Sequence, residues 1–338
     1  MSEPLVLALP SKGRLKEQVE AWLADCGLRV ESEGGDRGYR GRLSGVDGVE
    51  VRLTSAGDIA EALDSGQAHL GVTGEDLLRE RGEDLDERVL LLRPLGFGRA
   101  DLVVAAPQSW IDVESMADVD AVAHELLART GRRLRVATKY AVQTRRFFAE
   151  RGVSDYRLVE SVGATEGAPA AGLAELVVDI TTTGATLTAN HLRVLADGVI
   201  LKSQAQLAAS LTAAWSDGAL AAAGRILNLV EARARAVETA TLTWPADQDA
   251  QAREALADLA ALRWPVEQDT AAAQAIAPYL SRGAVRRADG LLAPSRDVFE
   301  IAAALSAARV EAVSVTRPDY VFEPDCEPVE RLKGRLTL

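Results

Sequence analysis

The chain has 338 residues, enough for two or three domains, and 48% of them are hydrophobic, so it can bury a sizeable core. Its formal net charge of −12 argues against broad binding to nucleic acid or to an anionic membrane surface, while leaving room for a local basic pocket. No apolar run is long enough for a signal peptide or a membrane span, so a cytoplasmic protein is expected. The two cysteines lie at opposite ends: Cys26 is expected in a helix core and Cys326 as an exposed or tail thiol, a usage that fits a reducing compartment. The three histidines, His69, His124 and His191, have no metal-ligand spacing.

Residues 5–9, LVLAL, read as a strand buried on both faces. Helical periodicity follows, with Leu15, Val19, Trp22 and Leu23 on one face. Lys12, Gly13 and Arg14 therefore fall on a strand-to-helix turn. Two cations flanking a glycine there suit a di- or triphosphate, although a solvated turn carries the same residue types. Residues 49–53 alternate like a strand and run into Ser55, Gly57 and Asp58, where Ser55 or Asp58 can cap the next helix. Residues 68–73 form a third strand, followed by Gly74, Glu75, Asp76 and a helix over 77–81. Strand, small polar turn and helix thus recur three times. This order predicts an α/β fold with a mostly parallel, doubly wound sheet and its polar turns at one edge.

Residues 88–92 read as a further strand and the Gly-rich stretch 93–101 as a hinge into a second α/β lobe. That lobe is predicted to hold strands over 102–106, 134–138 and 156–160, helices within 115–130 and from Lys139-Tyr140 through Phe148, and a short helical piece over 170–175. Leu176-Val177-Val178 then begins a buried-type strand that ends on Asp179. Thr181, Thr182, Thr183, Gly184, Ala185 and Thr186 follow, leading to a helix-like run over 187–195. Such a loop offers backbone N–H groups, hydroxyls and a helix start to an anion, and Gly184 allows a tight turn. No Gly-Lys-Ser/Thr follows, so it is not a P-loop. Apolar strand, Asp and T-G-x-T resemble the phosphoribosyl-diphosphate (PRPP) loop of phosphoribosyltransferases; a Thr-rich turn without a ligand has the same composition. Residues 198–202 read as a strand returning to the first lobe. Two lobes joined in this way leave a cleft, with the Thr-rich loop facing the Lys12/Arg14 turn.

The composition shifts beyond about residue 218. A helix over 219–237, a strand over 239–244, helices over 249–262 and up to residue 309, and a strand over 311–315 suggest a small α+β, ferredoxin-like domain. Residues 322–338 read as a tail. A short echo, LTWPADQD and LRWPVEQD, is too isolated for a solenoid.

Seven motifs occur in a telling order: Ala8-Leu9-Pro10-Ser11-Lys12-Gly13-Arg14-Leu15, Ala56-Gly57-Asp58-Ile59, Gly71-Val72-Thr73-Gly74-Glu75-Asp76, Leu95-Gly96-Phe97-Gly98, Ala137-Thr138-Lys139-Tyr140, Glu166-Gly167-Ala168-Pro169, and the run from Val178 to Leu187 with Asn190. Together, over about residues 4–215, they resemble the ATP phosphoribosyltransferase family. The resemblance implies a two-lobed catalytic core like that of periplasmic type II binding proteins. Lobe I would comprise 1–95 plus about 196–217, and lobe II 96–195. A candidate regulatory domain would cover 218–338.

The resemblance further implies transfer of phosphoribose from PRPP to N1 of ATP, with release of pyrophosphate. Lys12, Arg14 and Asp179 are the candidate catalytic residues. The loop residues Thr181, Thr182, Thr183, Gly184, Ala185 and Thr186 would hold the 5-phosphate and ribose, and Asp179 would sit near the ribose hydroxyls. Lys12, Gly13 and Arg14 would serve the pyrophosphate and ATP phosphates. Gly57, Asp58, Gly74 and Asp76 would line the cleft, and Thr138, Lys139 and Glu166 stand in matched substrate-binding motifs. Mg²⁺ is expected on the pyrophosphate, with no side-chain ligand assigned. The implied partners are ATP and PRPP, histidine as an inhibitor, and further copies of the chain in a dimer or hexamer. Gly167 replaces a bulkier apolar residue of the family. The match fades in the C-terminal region, so no effector residues are named. Two other readings remain open at this point: a two-lobed anion-binding protein without catalysis, and a phosphoribosyltransferase for another base.

Overall fold

A computed structural model describes residues 3–33, 39–161, 163–245, 251, 286–287 and 290–336. Its contacts divide the chain into two compact units, Met1–Gly224 with Glu327–Leu338, and Arg225–Cys326.

The first unit contains two sheets. Lobe I is built from β1 (Leu5–Pro10), α1 (Gly13–Asp25), β2 (Arg29–Glu33), β3 (Arg40–Ser44), β4 (Val49–Thr54), α2 (Ala56–Asp64), β5 (Leu70–Gly74), α3 (Glu75–Arg79), α4 (Leu85–Arg88) and β6 (Val89–Pro94). Every residue of β1 is buried, as its unbroken apolar run requires, and β1 lies parallel to β4 and β5. The sheet order is β2-β3-β4-β1-β5-β12-β6, in which β12 is Ala205–Ser210. The β2–β3 hairpin has no counterpart in the sequence reading, because its arginines, glutamates and serines hide the alternation of a half-buried edge.

Lobe II follows with β7 (Ala100–Pro107), α5 (Met116–Thr130), β8 (Leu134–Thr138), α6 (Ala141–Glu150), β9 (Tyr156–Glu160), β10 (Leu176–Thr181), α7 (Ala185–Ala189) and β11 (Leu192–Ser203), in the order β11-β7-β10-β8-β9. Ser115 opens α5 with a capping box shared with Asp118. Leu102, Val104, Val136, Tyr140, Phe148, Leu176 and Val178 belong to its main core cluster. The chain crosses between β6 and β7, and returns through Gln204 into β12 (Ala205–Ser210), which pairs antiparallel with β5 and β6. The two-lobed α/β plan expected from the sequence is therefore present.

Three expectations change here. The helix after the Thr-rich loop ends at Ala189, not 195: His191 takes φ 56, and Leu192–Ser203 pairs as a long strand with β7. Residues 198–202 consequently stay in lobe II, and β12 makes the return. The helical piece expected over 170–175 is a run of turns, preceded by a short 3-10 turn at Thr165–Gly167.

The helix α8 (Asp217–Glu238) contributes to both units. The second unit carries β13 (Thr239–Thr243), β14 (Arg286–Arg287), β15 (Gly290–Pro294), α9 (Val298–Ala307) and β16 (Ser314–Thr316), with the antiparallel order β14-β15-β13-β16. The helix expected over 249–262 lies, but for Gln251, outside the described residues, as does the second copy of the Trp-Pro echo. The last residues are not a tail. They form α10 (Glu327–Arg335), which buries Pro328 and Leu332 and belongs to the first unit. Cys326, expected exposed, is buried, as is Cys26. Among the described residues no helix is long and apolar enough to cross a membrane.

Candidate active site

Parallel pairing decides where the polar turns go. In lobe I the carboxyl ends of β1, β4 and β5 share one edge, and Ser11 N–H donates to Thr54 O across it (2.8 Å). That edge carries Lys12–Arg14, Ser55–Asp58 and Gly74–Asp76. In lobe II, β8, β9 and β10 run parallel and end at Thr138, Glu160 and Thr181. The two edges adjoin the crossings: Ala205 pairs with Gly74, and Asp101 with Thr181. They also touch, since Tyr140 Oη donates to Asp76 Oδ2 at 2.7 Å.

The Thr-rich loop is held by its own hydroxyls. Thr181 Oγ1 accepts Gly184 N–H (2.9 Å), Thr183 Oγ1 accepts Ala185 N–H (3.4 Å), and Thr182 Oγ1 donates to Arg99 O (3.3 Å). Thr186 O accepts the Asn190 side-chain amide. Gly184 has φ 75 and Gly13 has φ 76, and a Cβ on either would meet nothing within 4 Å. The two turns thus need glycine for backbone conformation, and both leave open space above it. Asp179 Oδ1 accepts Ile180 N–H (2.8 Å) and stands 4.0 Å from Lys139 Nζ.

Lys12 and Arg14 are exposed and make no ion pair among the described residues. Asp58 is exposed beside Gly57; hydrogen bonds from Ser55 and Thr54 hold its carboxyl below the usual range. Glu166 is half-buried in the 3-10 turn and makes no ion pair among the described residues. Asp76 and Thr138 are buried instead. Thr138 Oγ1 accepts Tyr140 N–H (2.9 Å), and the Asp76 carboxylate is taken by Tyr140 and by Ser203 Oγ (2.8 Å). A Cβ on Gly74 would collide with that carboxylate. Burial and the adjacent Asp76 push the Tyr140 phenol upward, so it stays a donor.

Beside the loop lies a cavity of about 340 Å³ lined by Arg99, Asp101, Thr181, Thr182, Lys202 and Gln204 among others. Arg99 and Lys202 are exposed cations without an ion pair among the described residues. Neither was legible beforehand: each is a lone cation in a crossing segment, and only the pairing of β7 with β10 and β11 brings both to the loop. Among the described residues no three His, Cys, Asp or Glu side chains converge to hold a metal ion.

The HisG family model, ATP phosphoribosyltransferase, matches residues 55–232. The ATP phosphoribosyltransferase of Caulobacter vibrioides (strain NA1000 / CB15N) is 63% identical over 336 residues, 99% of each chain. That of Nitrobacter winogradskyi is 49% identical over 338 residues, 98% of each chain. Among solved structures, the ATP phosphoribosyl transferase (HisG:HisZ) complex from Thermotoga maritima is similar in fold, with a TM-score of 0.50 at 24% identity, covering 67% of this chain and 98% of that one. The chain therefore belongs to the ATP phosphoribosyltransferase family, which transfers phosphoribose from PRPP to N1 of ATP, releasing pyrophosphate, in the first step of histidine biosynthesis.

Proposed function

We propose that PRPP and ATP meet where the two strand edges adjoin. The observation that carries this is the Asp179–Thr186 loop, with its left-handed Gly184 open above and two exposed cations, Arg99 and Lys202, lining the adjoining cavity. The 5-phosphate replaces the Thr181 and Thr183 hydroxyl oxygens as acceptor for the Gly184 and Ala185 N–H groups, and the hydroxyls of Thr181, Thr182, Thr183 and Thr186 turn to donate to it. Asp179 accepts from the ribose hydroxyls, and Lys139 beside it steadies its charge. Lys12, Gly13 and Arg14, with Arg99 and Lys202, receive the diphosphate of PRPP and the phosphates of ATP. Gly57 and Asp58 line the lobe I side, and Glu166 the far side of lobe II.

Bond breaking at C1 of the ribose leaves an oxocarbenium-like sugar and builds negative charge on the departing pyrophosphate. Cations already aimed at that charge stabilise it without reorganising. N1 of adenine is the nucleophile, so the chain must hold two charged substrates in line and exclude water, and needs no covalent intermediate. Enzymes of the family use a metal ion. Asp179 and Asp58 each bring one carboxylate to the proposed site, donors that fit an ion whose other ligands would be substrate oxygens. We take the ion to be Mg²⁺, which when bound would neutralise charge on the pyrophosphate.

The second unit, with its own sheet, is the proposed site of histidine feedback, in a cytoplasmic homo-oligomer, dimer or hexamer. The test is pyrophosphate release with ATP and PRPP. Arg99→Ala and Lys202→Ala should each raise KM for PRPP about tenfold, the loss of roughly one charge-assisted contact. Unchanged KM in both variants would overturn the placement of the phosphates.

A further inference from the structure

We propose that Asp76, Tyr140 and Ser203 form a pin that fixes the spacing of the two lobes, and that Tyr140 is a positioning residue for Lys139 and Asp179. Asp76 lies on α3 of lobe I, and its carboxylate is buried. Tyr140 of lobe II donates to its Oδ2 (2.7 Å), and Ser203, at the end of β11, donates to its Oδ1 (2.8 Å). Ser203 Oγ in turn accepts Asp76 N–H (3.0 Å), and Gln143 Nε2 donates to Asp76 O (2.9 Å). One turn further along the chain, the Glu80 carboxylate accepts the free N–H groups of Val142 (2.8 Å) and Gln143 (3.2 Å) at the start of α6.

These bonds all run between the lobes, and both Asp76 and Tyr140 are almost wholly enclosed. A partial opening would break these bonds before water could reach the carboxylate and phenol, a disfavoured arrangement. Two-lobed folds that bind ligands commonly close by a hinge; here the junction is bolted. The pin also reaches the cleft. Lys139 Nζ rests 5.2 Å from the centroid of the Tyr140 ring and 4.0 Å from Asp179 Oδ1. The bond that sets the lobe spacing therefore also seats the pair beside the loop. This second part rests on the assignment of Asp179 to the PRPP ribose; the first does not.

The test uses the full-length protein carrying Tyr140→Phe, which keeps the ring and removes the donor, and separately Ser203→Ala, a smaller change in case the first variant fails to fold. Spin labels on Glu61→Cys and Glu125→Cys, exposed positions of lobes I and II, report the distance between lobes without any substrate. The expected result is a broadened distance distribution, a fall in kcat of about ten- to a hundredfold, and PRPP affinity within about threefold of the parent. A distribution as narrow as the parent's in both variants overturns the pin whatever the kinetics show. Unchanged kcat, or PRPP affinity lost in step with kcat, overturns the positioning role. A parent protein that releases no pyrophosphate would instead sink the substrate assignment and leave the distance measurement standing.

Discussion

Lys139 Nζ stands 4.0 Å from Asp179 Oδ1, at the ends of two parallel neighbouring strands, β8 and β10. Among the described residues the carboxylate accepts a hydrogen bond from the adjacent Ile180 N–H alone, which leaves acceptor positions for a ligand. Asp179→Asn keeps the shape and removes the charge. It should lower kcat for pyrophosphate release by about 10²-fold or more, the scale of losing a preorganised electrostatic group. The melting temperature should change by only a few degrees, as for a ΔΔG below about 1 kcal/mol. A kcat near the parent's would remove Asp179 from the chemistry.

Gly184 separates conformation from space. Its φ of 75 disfavours any side chain, yet an added Cβ would touch nothing within 4 Å. Ala should therefore cost about 1–2 kcal/mol of local strain, and a β-branched Val more. Because the loop is exposed, that strain should distort the loop before it unfolds the lobe. Gly184→Val should abolish most activity while the far-UV circular dichroism and the unfolding midpoint stay close to the parent's. Near-parental kinetics would rule out the loop as the phosphate cradle.

Glu175 supplies a pH-dependent term at the other end of β10. Burial alone would raise its carboxyl, but hydrogen bonds from the Arg135 side chain and backbone and from Arg132 outweigh this and bring it down to about 2. A carboxyl depressed on folding stabilises above its unfolded value near 4.5, and that contribution is lost as pH falls toward about 2. Glu175→Gln should cost on the order of 1–3 kcal/mol at pH 7, allowing for solvent screening of a partly exposed cluster. The gap from the parent should shrink steadily below pH 4.5. Urea unfolding at a series of pH values reads it directly; a gap independent of pH would contradict the assignment.

The helix α10 closes an open edge. Arg331 donates to Leu91 O (2.8 Å) and Leu92 O (3.5 Å) on β6, the last strand of the lobe I sheet, and Arg335 donates to Asp86 O. Arg331→Ala should cost about 1 kcal/mol. Truncation after Cys326, which also exposes the surface covering Leu332, should cost about 2–4 kcal/mol and promote association through the bared strand edge. Thermal melting and light scattering would show both effects. An unchanged melting temperature on truncation would mean that α10 adds nothing to lobe I.

What could be read from local pattern was substantial. Unbroken apolar runs such as LVLAL and LVVAA mark strands covered on both faces, since only burial rewards them. Glycine and hydroxyl residues mark the turns, because backbone conformation at those positions is a property of the residue itself. On that basis the two lobes, the Thr-rich loop and the Lys12–Arg14 turn were all visible in the linear chain. Folding in three dimensions settled the rest. Asp58 and Asp76 read alike, as acids opening a helix, yet one is exposed and the other is buried against Tyr140 and Ser203, because Ser203 comes from a strand 127 residues further along. Leu192–Ser203 is a strand because β7 is there to pair with it. Arg99 and Lys202 came to line one cavity, and α10 became an edge cap, through the same kind of long-range pairing. The energies that decide these matters lie between residues distant in the chain, where periodicity and composition carry no signal.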